Sequence, residues 1–351
     1  MATVREKFIR VMRHGDVSEG FPVIEFGPYW DLTYKKWLEQ GLPANLAGQD
    51  LLDYFGLDTR GGTWRAAITP KAREAAQLPA DWRLELPMIH SEADYDRIRP
   101  HLFPREFSDA EKKGMEQTAA RQAAGDIWIM AALDGPFWFP RFLLGVEPHL
   151  YAFYEHPRFM KRMIDDLSEH NLRALSQICE IYTPDVLCFA EDMCYRHGSM
   201  ISPDLFEEFM APHYRALLPE IARRGILSMV DSDGQLEPVV PWFVALGLNG
   251  MSPLERQAGV DLNRIRRRYP TFIMSGGYDK MVMHKGEEAL RGEFQRIKPA
   301  VLAGYYIPTE DHQVPPAVSL EDYKLYTRLL REFSDEVARE ARSVRPSATP
   351  P

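Results

Sequence analysis

The chain has 351 residues, of which 45% are apolar and 26% are charged, and its formal net charge is −9. This composition excludes a disordered chain, because enough apolar surface is available for a large core. The negative charge argues against nucleic acid as a partner, since phosphate binding depends on clustered lysine and arginine. The one basic run, "RIRRRYP" at 264–270, is typical of the solvated end of a helix.

The cysteines and the amino terminus indicate a reducing compartment. Cys179, Cys188 and Cys194 form no CxxC pair, so neither a disulfide framework nor a thiolate zinc site is indicated. Residues 1–16 predict a charged amphipathic helix that lacks the apolar core of a secretion signal. No apolar run is long enough to span a bilayer. We therefore expect a cytoplasmic protein without a membrane partner.

Seven short apolar runs, each of which ends in Gly, Pro or a carboxylate, recur along the chain. Continuous apolar runs of this length are typical of parallel strands that are covered on both faces. In chain order they are "PVIEFG" (22–27), "IWIMAALDG" (127–135), "DVLCFAED" (185–192), "GILSMVDSDG" (225–234), "LNGMSPLE" (248–255), "TFIMSGGYD" (271–279) and "VLAGYYIP" (301–308). An eighth strand could be "LELPMIH" (84–90).

Helical patterns separate these runs. Residues 156–182 repeat apolar positions at three- and four-residue spacing, and residues 202–224 open with Ser202 as N-cap and Pro203 in the first turn. Residues 236–246 and 263–269 predict shorter helices. Strands that alternate with helices indicate a parallel sheet with right-handed crossovers.

The fold prediction is therefore an α/β protein, a (β/α)8 TIM barrel with an N-terminal helical elaboration. We expect one domain over residues 1–340, in which residues 58–125 form a helical or loop insertion. The Pro- and Ser-rich residues 341–351 predict a flexible tail.

Acidic residues stand at nearly every predicted strand end, where barrels of this kind place their active sites. They are Glu25, Asp134, Glu191, Asp192, Asp231, Asp233, Glu255, Asp279 and the "EDH" of 310–312. Three interpretations compete: acids that cap helices or orient a neighbour, carboxyl groups that perform acid–base chemistry, and metal ligands. For the metal, Asp231, Asp233, Glu191 and His312 offer oxygen and nitrogen ligands. The aromatic run "GPFWFPRF" (135–142) could form the wall of a pocket for a flat ligand.

Seven segments together resemble the uroporphyrinogen decarboxylase superfamily. They are "VIEFGPYW…TYKKWLEQGLP", "DGPFWFPRFLLG", "FAEDMCYRHGSMISPDLFEEFMAPHY", "VDSDG", "PLERQAGVDL", "SGGYDK" and "GYYIPTEDHQVPP". The resemblance spans most of the chain and implies a (β/α)8 barrel with its cleft at the carboxyl ends of the strands. Members of the superfamily include the decarboxylase and methyltransferases that exchange methyl groups with a corrinoid-bearing protein.

The decarboxylase pattern of this family is not matched here. Its arginine-rich segment, which holds the carboxylates of the substrate, corresponds to "EFGPYW", with Glu25 where a cation is needed. The substrate tyrosine of the family falls on Phe142, and its C-terminal histidine falls on Tyr305. Decarboxylation of uroporphyrinogen is therefore not expected.

The methyltransferase pattern is matched in part. The relatives that act on coenzyme thiols have His-x-Cys-Gly at the end of the fifth strand and bind zinc with it. The corresponding residues here are Asp231, Ser232, Asp233 and Gly234, so a thiolate site is replaced by an oxygen-rich one. A hydroxyl, phenol-ether oxygen or amine would then carry the methyl group, polarised by a metal or by a protonated acid.

From these residues and this resemblance we predict a methyltransferase that moves a methyl group between a small methoxylated or methylated compound and a corrinoid (cobalamin) protein. The predicted catalytic residues are Asp231, Asp233, His312 and Glu191, and the predicted ligands of a divalent metal, such as zinc, are Asp231, Asp233 and His312. Substrate binding is assigned to Glu25, Trp30, Trp138, Asp192 and Tyr305. Two alternatives are a decarboxylase of a less acidic substrate and a non-catalytic tetrapyrrole or corrinoid binder. The sequence is also compatible with a homodimer.

Overall fold

A computed structural model describes residues 2–25, 27, 29–78 and 86–344. The chain divides into two compact units. Unit 1 comprises residues 1–60, 121–128 and 250–351, and unit 2 comprises residues 61–120 and 129–249.

Helices and strands alternate through most of the described chain. The strands are β1 (Arg60–Arg65), β2 (Trp128–Asp134), β3 (Val186–Ala190), β4 (Cys194–Tyr195), β5 (Gly198–Ser199), β6 (Leu227–Asp231), β7 (Gly250–Ser252), β8 (Ile273–Tyr278) and β9 (Tyr306–Glu310). The helices are α1 (Val4–His14), α2 (Asp31–Glu39), α3 (Gln49–Tyr54), α4 (Pro70–Ala76), α5 (Glu92–Ile98), α6 (Asp109–Ala124), α7 (Trp138–Leu144), α8 (Val146–Glu155), α9 (Pro157–Ile181), α10 (Pro203–Leu205), α11 (Ala211–Arg223), α12 (Val240–Ala245), α13 (Leu262–Arg268), α14 (Glu287–Leu302) and α15 (Leu320–Val344).

Unit 2 contains most of β1 and β2 together with β3 and β6, in the order β1-β2-β3-β6. β2, β3 and β6 are parallel, with Asp134 opposite Ala190 and Ala190 opposite Asp231. Asp185 fixes the opposite ends of the three strands, because its carboxylate accepts from the Ile129 amide at 3.0 Å and its carbonyl accepts from Leu227 at 3.1 Å. The carboxyl ends of these strands therefore lie level with one another.

The helices of unit 2 follow the sequence pattern. α9 buries one apolar face, and Ser202 caps the next helical segment through the Leu205 amide at 3.2 Å. A π-helical turn at Phe206–Met210 joins α10 to α11. Segments of this kind inside helices are often found beside functional sites.

Unit 1 holds the parallel strands β7, β8 and β9 in that order. α15 covers this unit with a buried apolar face that includes Tyr323, Tyr326, Leu330 and Phe333. α1 begins with a capping box, in which the Thr3 side chain accepts from the Glu6 amide and the Glu6 carboxylate accepts from the Thr3 amide. The predicted amino-terminal helix is confirmed.

The strand predictions need three corrections. Residues 22–25 and 27 form no strand, although Val23 exchanges hydrogen bonds with Asp58 at 2.7 and 2.8 Å. In the eighth predicted strand, residues 84 and 85 lie outside the described residues, and residues 86–90 form bends instead of a strand. β1 occupies residues 60–65, within the segment predicted as an insertion. Its "RGGTWR" sequence is too polar to be recognised as a buried strand.

The parallel α/β class is confirmed, whereas closure into an eight-stranded barrel is not. Seven strands belong to the two parallel groups within the described ranges, and β4 and β5 form a separate antiparallel hairpin. The single domain over residues 1–340 stays a prediction. Of the predicted tail, residues 341–344 complete α15 and residues 345–351 lie outside the described residues. In the part of the chain that the structure describes, no helix has both the length and the apolar character to cross a membrane.

Candidate active site

The predicted site residues fall into two groups, one in each unit. In unit 2 they follow the carboxyl ends of β3 and β6, which are adjacent and level. Glu191 and Asp192 come directly after β3, and the amides of both donate to the carbonyl of Asp231 at 2.9 and 3.3 Å. The structure therefore brings Glu191, Asp192 and Asp231 together, as the sequence predicts for adjacent strand ends.

Glu191 is fully buried and held on both oxygens. Its Oε2 accepts from the amides of Phe137 at 2.8 Å and Trp138 at 3.3 Å, and its Oε1 accepts from the Tyr214 hydroxyl. Burial raises the pKa of Glu191 to about 8, although its hydrogen-bond donors oppose this shift. Gly135 is required beside it, because a Cβ at that position would collide with the Glu191 carboxyl. Glu191 thus joins the start of α7 to the end of β3.

Asp192 and Trp138, both predicted to bind substrate, share a partner that the sequence did not identify. Arg141 Nη1 donates to the Asp192 carbonyl at 3.0 Å and lies 3.5 Å from its carboxylate. The Arg141 guanidinium also stands 5.4 Å from the centre of the Trp138 ring. Asp192 has φ of 47°, a left-handed conformation that is uncommon outside glycine and often marks a functional position.

The DSDG turn after β6 is fixed by the hairpin of β4 and β5. The buried Ser232 hydroxyl accepts from the amides of Met193 at 3.2 Å and Cys194 at 3.3 Å. Gly234, with φ of 82°, packs so closely on Tyr195 that a Cβ would lie 2.7 Å from its carbonyl. The backbone around Asp233 therefore has a defined position, and its carboxylate is half-buried.

Asp134 ends β2 at the same edge and is almost completely buried. Its carboxylate accepts from the Trp64 indole at 3.0 Å and the Ala67 amide at 2.8 Å. Burial raises the pKa of Asp134 to about 6, despite both donors. The Trp64 ring is held at this edge while 56% of the residue remains exposed. It is an aromatic wall that the sequence could not indicate, because β1 was not recognised.

In unit 1, His312 follows β9 and Glu255 follows β7. An imidazole nitrogen of His312 and a carboxylate oxygen of Glu255 lie within 4.8 Å of each other, and both side chains are half-buried. Lys280 Nζ lies 3.6 Å from Glu255 and 3.1 Å from the buried carboxylate of Asp311. Mixed nitrogen and oxygen donors of this type fit a divalent ion such as zinc.

Glu25 accepts from the Tyr323 hydroxyl, which is 3.1 Å from the Tyr29 hydroxyl. Burial and the nearby Glu25 carboxylate raise the pKa of Tyr29 well above its usual value. Beside this cluster lies a cavity of about 340 Å³ lined by Tyr29, Trp30, Asp31, Leu32 and Gln313. Trp30 therefore lines a cavity in unit 1 together with Gln313, which follows His312 in the sequence.

Tyr305 lies elsewhere in unit 1, so its assignment as a pocket wall needs correction. It precedes β9, at the opposite end of the strand from His312. Its ring packs against Gly15, and its carbonyl accepts from Arg266 at 2.9 Å. These contacts give Tyr305 a packing role at the amino end of the strand.

The arrangement of both units is that of the α/β proteins that carry polar groups at the carboxyl ends of parallel strands. The sequence matches the family model for uroporphyrinogen decarboxylase over residues 83–333. The chain belongs to the uroporphyrinogen decarboxylase family. No match is found among curated proteins.

Two solved structures are similar to this chain. A methyltransferase from Methanosarcina mazei matches with a TM-score of 0.62 and 15% identity, over 95% of this chain and 99% of its own. At this level of identity, the similarity shows the fold alone. A protein from Listeria monocytogenes, named for a vitamin-B12-independent methionine synthase, matches with a TM-score of 0.41 and 12% identity, over 66% of this chain and 70% of its own.

Proposed function

We propose that the protein is a methyltransferase that moves a methyl group between a small methoxylated or methylated compound and a corrinoid protein. The observation that carries this proposal is the His312–Glu255 pair, whose nitrogen and oxygen atoms lie within 4.8 Å. Such a pair can hold a divalent ion, and a bound ion would polarise the oxygen or nitrogen that releases the methyl group. One solved structure with a similar fold is a methyltransferase, and we propose the same reaction class for this chain.

We also propose that the strands complete the barrel implied by the family.

The prediction that one ion takes Asp231, Asp233 and His312 as ligands stays part of this proposal, with Glu255 added. The other residues have supporting tasks. Trp138 and Trp30 contribute aromatic surface, and Glu25, which accepts from Tyr323, contributes to substrate binding in unit 1. Asp192 orients the substrate indirectly, because its backbone carbonyl holds the Arg141 guanidinium. Glu191 holds α7 against β3 and so positions the Trp138 backbone.

Metal content after exhaustive dialysis tests the ligand set. We expect about one divalent ion per chain in the native protein, because transition metals bind such donor sets tightly. We expect that ion to be lost in Glu255→Ala, in His312→Ala and in the double variant Asp231→Ala, Asp233→Ala. His284→Ala, which removes an exposed histidine of unit 1, is the matched control and should retain the ion.

Methyl transfer is measured as the conversion of reduced cobalamin to methylcobalamin, which changes the absorption spectrum of the corrinoid. A panel of methoxylated and methylated donors should contain one that produces this conversion, and His312→Ala should abolish it. Absence of any conversion over a broad panel with a cognate corrinoid protein would refute the proposal. Release of CO₂ without a corrinoid protein would instead identify a decarboxylase.

A further inference from the structure

Arg141 presents two unused donors in unit 2. Its Nη1 is occupied by the carbonyl of Asp192 at 3.0 Å, whereas Nε and Nη2 make no hydrogen bond to any residue that the structure describes. The side chain is 20% exposed, so it is held in place but open on one side. An arginine fork with two free N–H groups matches the two oxygens of a carboxylate.

A series of contacts leads from this fork through two aromatic rings to a second arginine. The Arg141 guanidinium lies 5.4 Å from the Trp138 ring centre, and Trp138 contacts Phe142 at 6.1 Å between centroids. Arg73 stands 5.2 Å from the Phe142 ring and has no acidic partner among the described residues. Arg141, Arg73, Trp138 and Phe142 thus form a cluster of cationic and aromatic side chains in a chain whose net charge is −9.

Asp192 is the group that opposes this positive charge. Its carboxylate lies 3.5 Å from Arg141 Nη1, a distance that favours attraction without a direct hydrogen bond. A ligand carboxylate can therefore bind the free side of the guanidinium, while Asp192 stays on the occupied side. Asp192 then weakens anion binding by repulsion, and the backbone bond to its carbonyl keeps the fork oriented.

We infer that Arg141 is a specificity-determining residue that binds the carboxylate of a small aromatic ligand, whose ring lies against Trp138. The inference deepens the proposed function, because it names the charge of the methyl-bearing compound. Binding is measured without turnover, so the two proposals can fail separately. A binding preference without methyl transfer supports the carboxylate site alone, and methyl transfer from neutral donors only would overturn it.

Isothermal titration calorimetry with 4-methoxybenzoate and its neutral counterpart 4-methoxybenzamide tests this site. We expect the native protein to bind the carboxylate roughly tenfold or more tightly than the amide. Arg141→Gln should abolish that preference, and Arg141→Lys should restore only part of it, because a lysine lacks the planar fork. Arg162→Gln is the control, since the Arg162 guanidinium also lies over an aromatic ring, 5.4 Å from the centre of the Tyr95 ring.

Asp192→Asn should change the affinity for the carboxylate in the opposite direction from Arg141→Gln. Removing its charge should strengthen binding of the carboxylate severalfold and leave binding of the amide unchanged. Equal affinity of the native protein for both probes, or no binding of either, would overturn the inference. So would an Arg141→Gln protein that is folded by circular dichroism and keeps the preference.

Discussion

Two buried carboxyl groups in unit 2 show how position determines the chemistry of a residue. Asp134 ends β2 and Glu191 follows the neighbouring β3, and burial raises the pKa of both, to about 6 and about 8. Each is held by hydrogen-bond donors from other elements, such as Trp64 for Asp134 and Tyr214 for Glu191. Both therefore join elements of the fold, whereas Asp192 and Asp233 at the neighbouring strand ends are only half-buried.

Replacing Asp134 with Asn should change the pH dependence of stability. The pKa of Asp134 rises from 3.8 to about 6 on folding, so the folded state binds the proton more tightly than the unfolded state. The free energy of unfolding contributed by Asp134 therefore falls as pH rises through this window. Between about pH 4.5 and about pH 7.5, the native protein should lose roughly 2 kcal/mol relative to Asp134→Asn.

Urea unfolding at both pH values measures this difference. Asparagine can accept only one of the two hydrogen bonds from Trp64 and Ala67, which lowers the stability of the variant at every pH. The test is therefore the change in the stability difference between the two pH values. A constant difference between the two proteins would show that Asp134 titrates at its ordinary pKa.

At the scale of elements, the β4–β5 hairpin and the DSDG turn support each other. Ser232 connects them through the amides of Met193 and Cys194, and the Gln235 amide donates to the Tyr195 carbonyl at 2.9 Å. The turn thus depends on a hairpin that precedes it by more than thirty residues. This contact fixes the backbone on which Asp231 and Asp233 stand.

Ser232→Ala should loosen this contact. The substitution leaves two buried amides without an acceptor, at a cost of roughly 1–3 kcal/mol in the free energy of unfolding. Hydrogen exchange of the Met193 and Cys194 amides should accelerate, because their local protection is lost. Ser199→Ala in the same hairpin is the control, since among the described residues its hydroxyl accepts only from the Ile201 amide at 3.2 Å. Unchanged exchange at residues 193 and 194 would contradict the role given to Ser232.

At the scale of the whole molecule, each of the two compact units contributes its own group of candidate site residues. Unit 1 draws its strands and helices from both ends of the sequence, so its core depends on the last long helix. α15 buries Tyr323, Tyr326, Leu330 and Phe333, all at most 3% exposed, and Ser334 donates to the Phe21 carbonyl at 3.0 Å. The carboxyl-terminal helix is therefore part of the core.

A chain that ends at Ser319 should fail to form a stable native state. Losing several large buried side chains costs roughly 3–5 kcal/mol each, which exceeds the usual stability of about 5–15 kcal/mol. Thermal unfolding followed by near-ultraviolet circular dichroism should show no cooperative transition. A chain that ends at Val344 controls for trimming of the terminus and should unfold like the native protein. Cooperative unfolding of the shorter chain would show that unit 1 folds without α15.

Much of the fold could be predicted from the sequence, because its signals are local. The apolar runs that become β2, β3, β6, β7, β8 and β9 alternate with helical patterns, and that alternation specifies parallel strands. Acids such as Glu191, Asp192 and Asp231 lie at the ends of those runs in the sequence, so their position at the strand ends could be predicted. The sequence does not predict β1, and it wrongly predicts a strand at residues 22–25, because contacts with residues distant in the sequence decide the conformation of both segments.

Only the tertiary structure decided what each acid does. Glu191 receives its donors from Phe137 and Tyr214, which lie 54 and 23 positions away in the sequence. Arg141 meets Asp192 across 51 positions, and no local pattern could indicate that its fork stays open. Burial and hydrogen bonding depend on these distant neighbours, and they determine pKa, charge and availability for ligands. The sequence by itself therefore determined the parallel strands and the acids at their ends, and the packing of distant segments determined which of these side chains are fully buried and hydrogen-bonded and which are only half-buried.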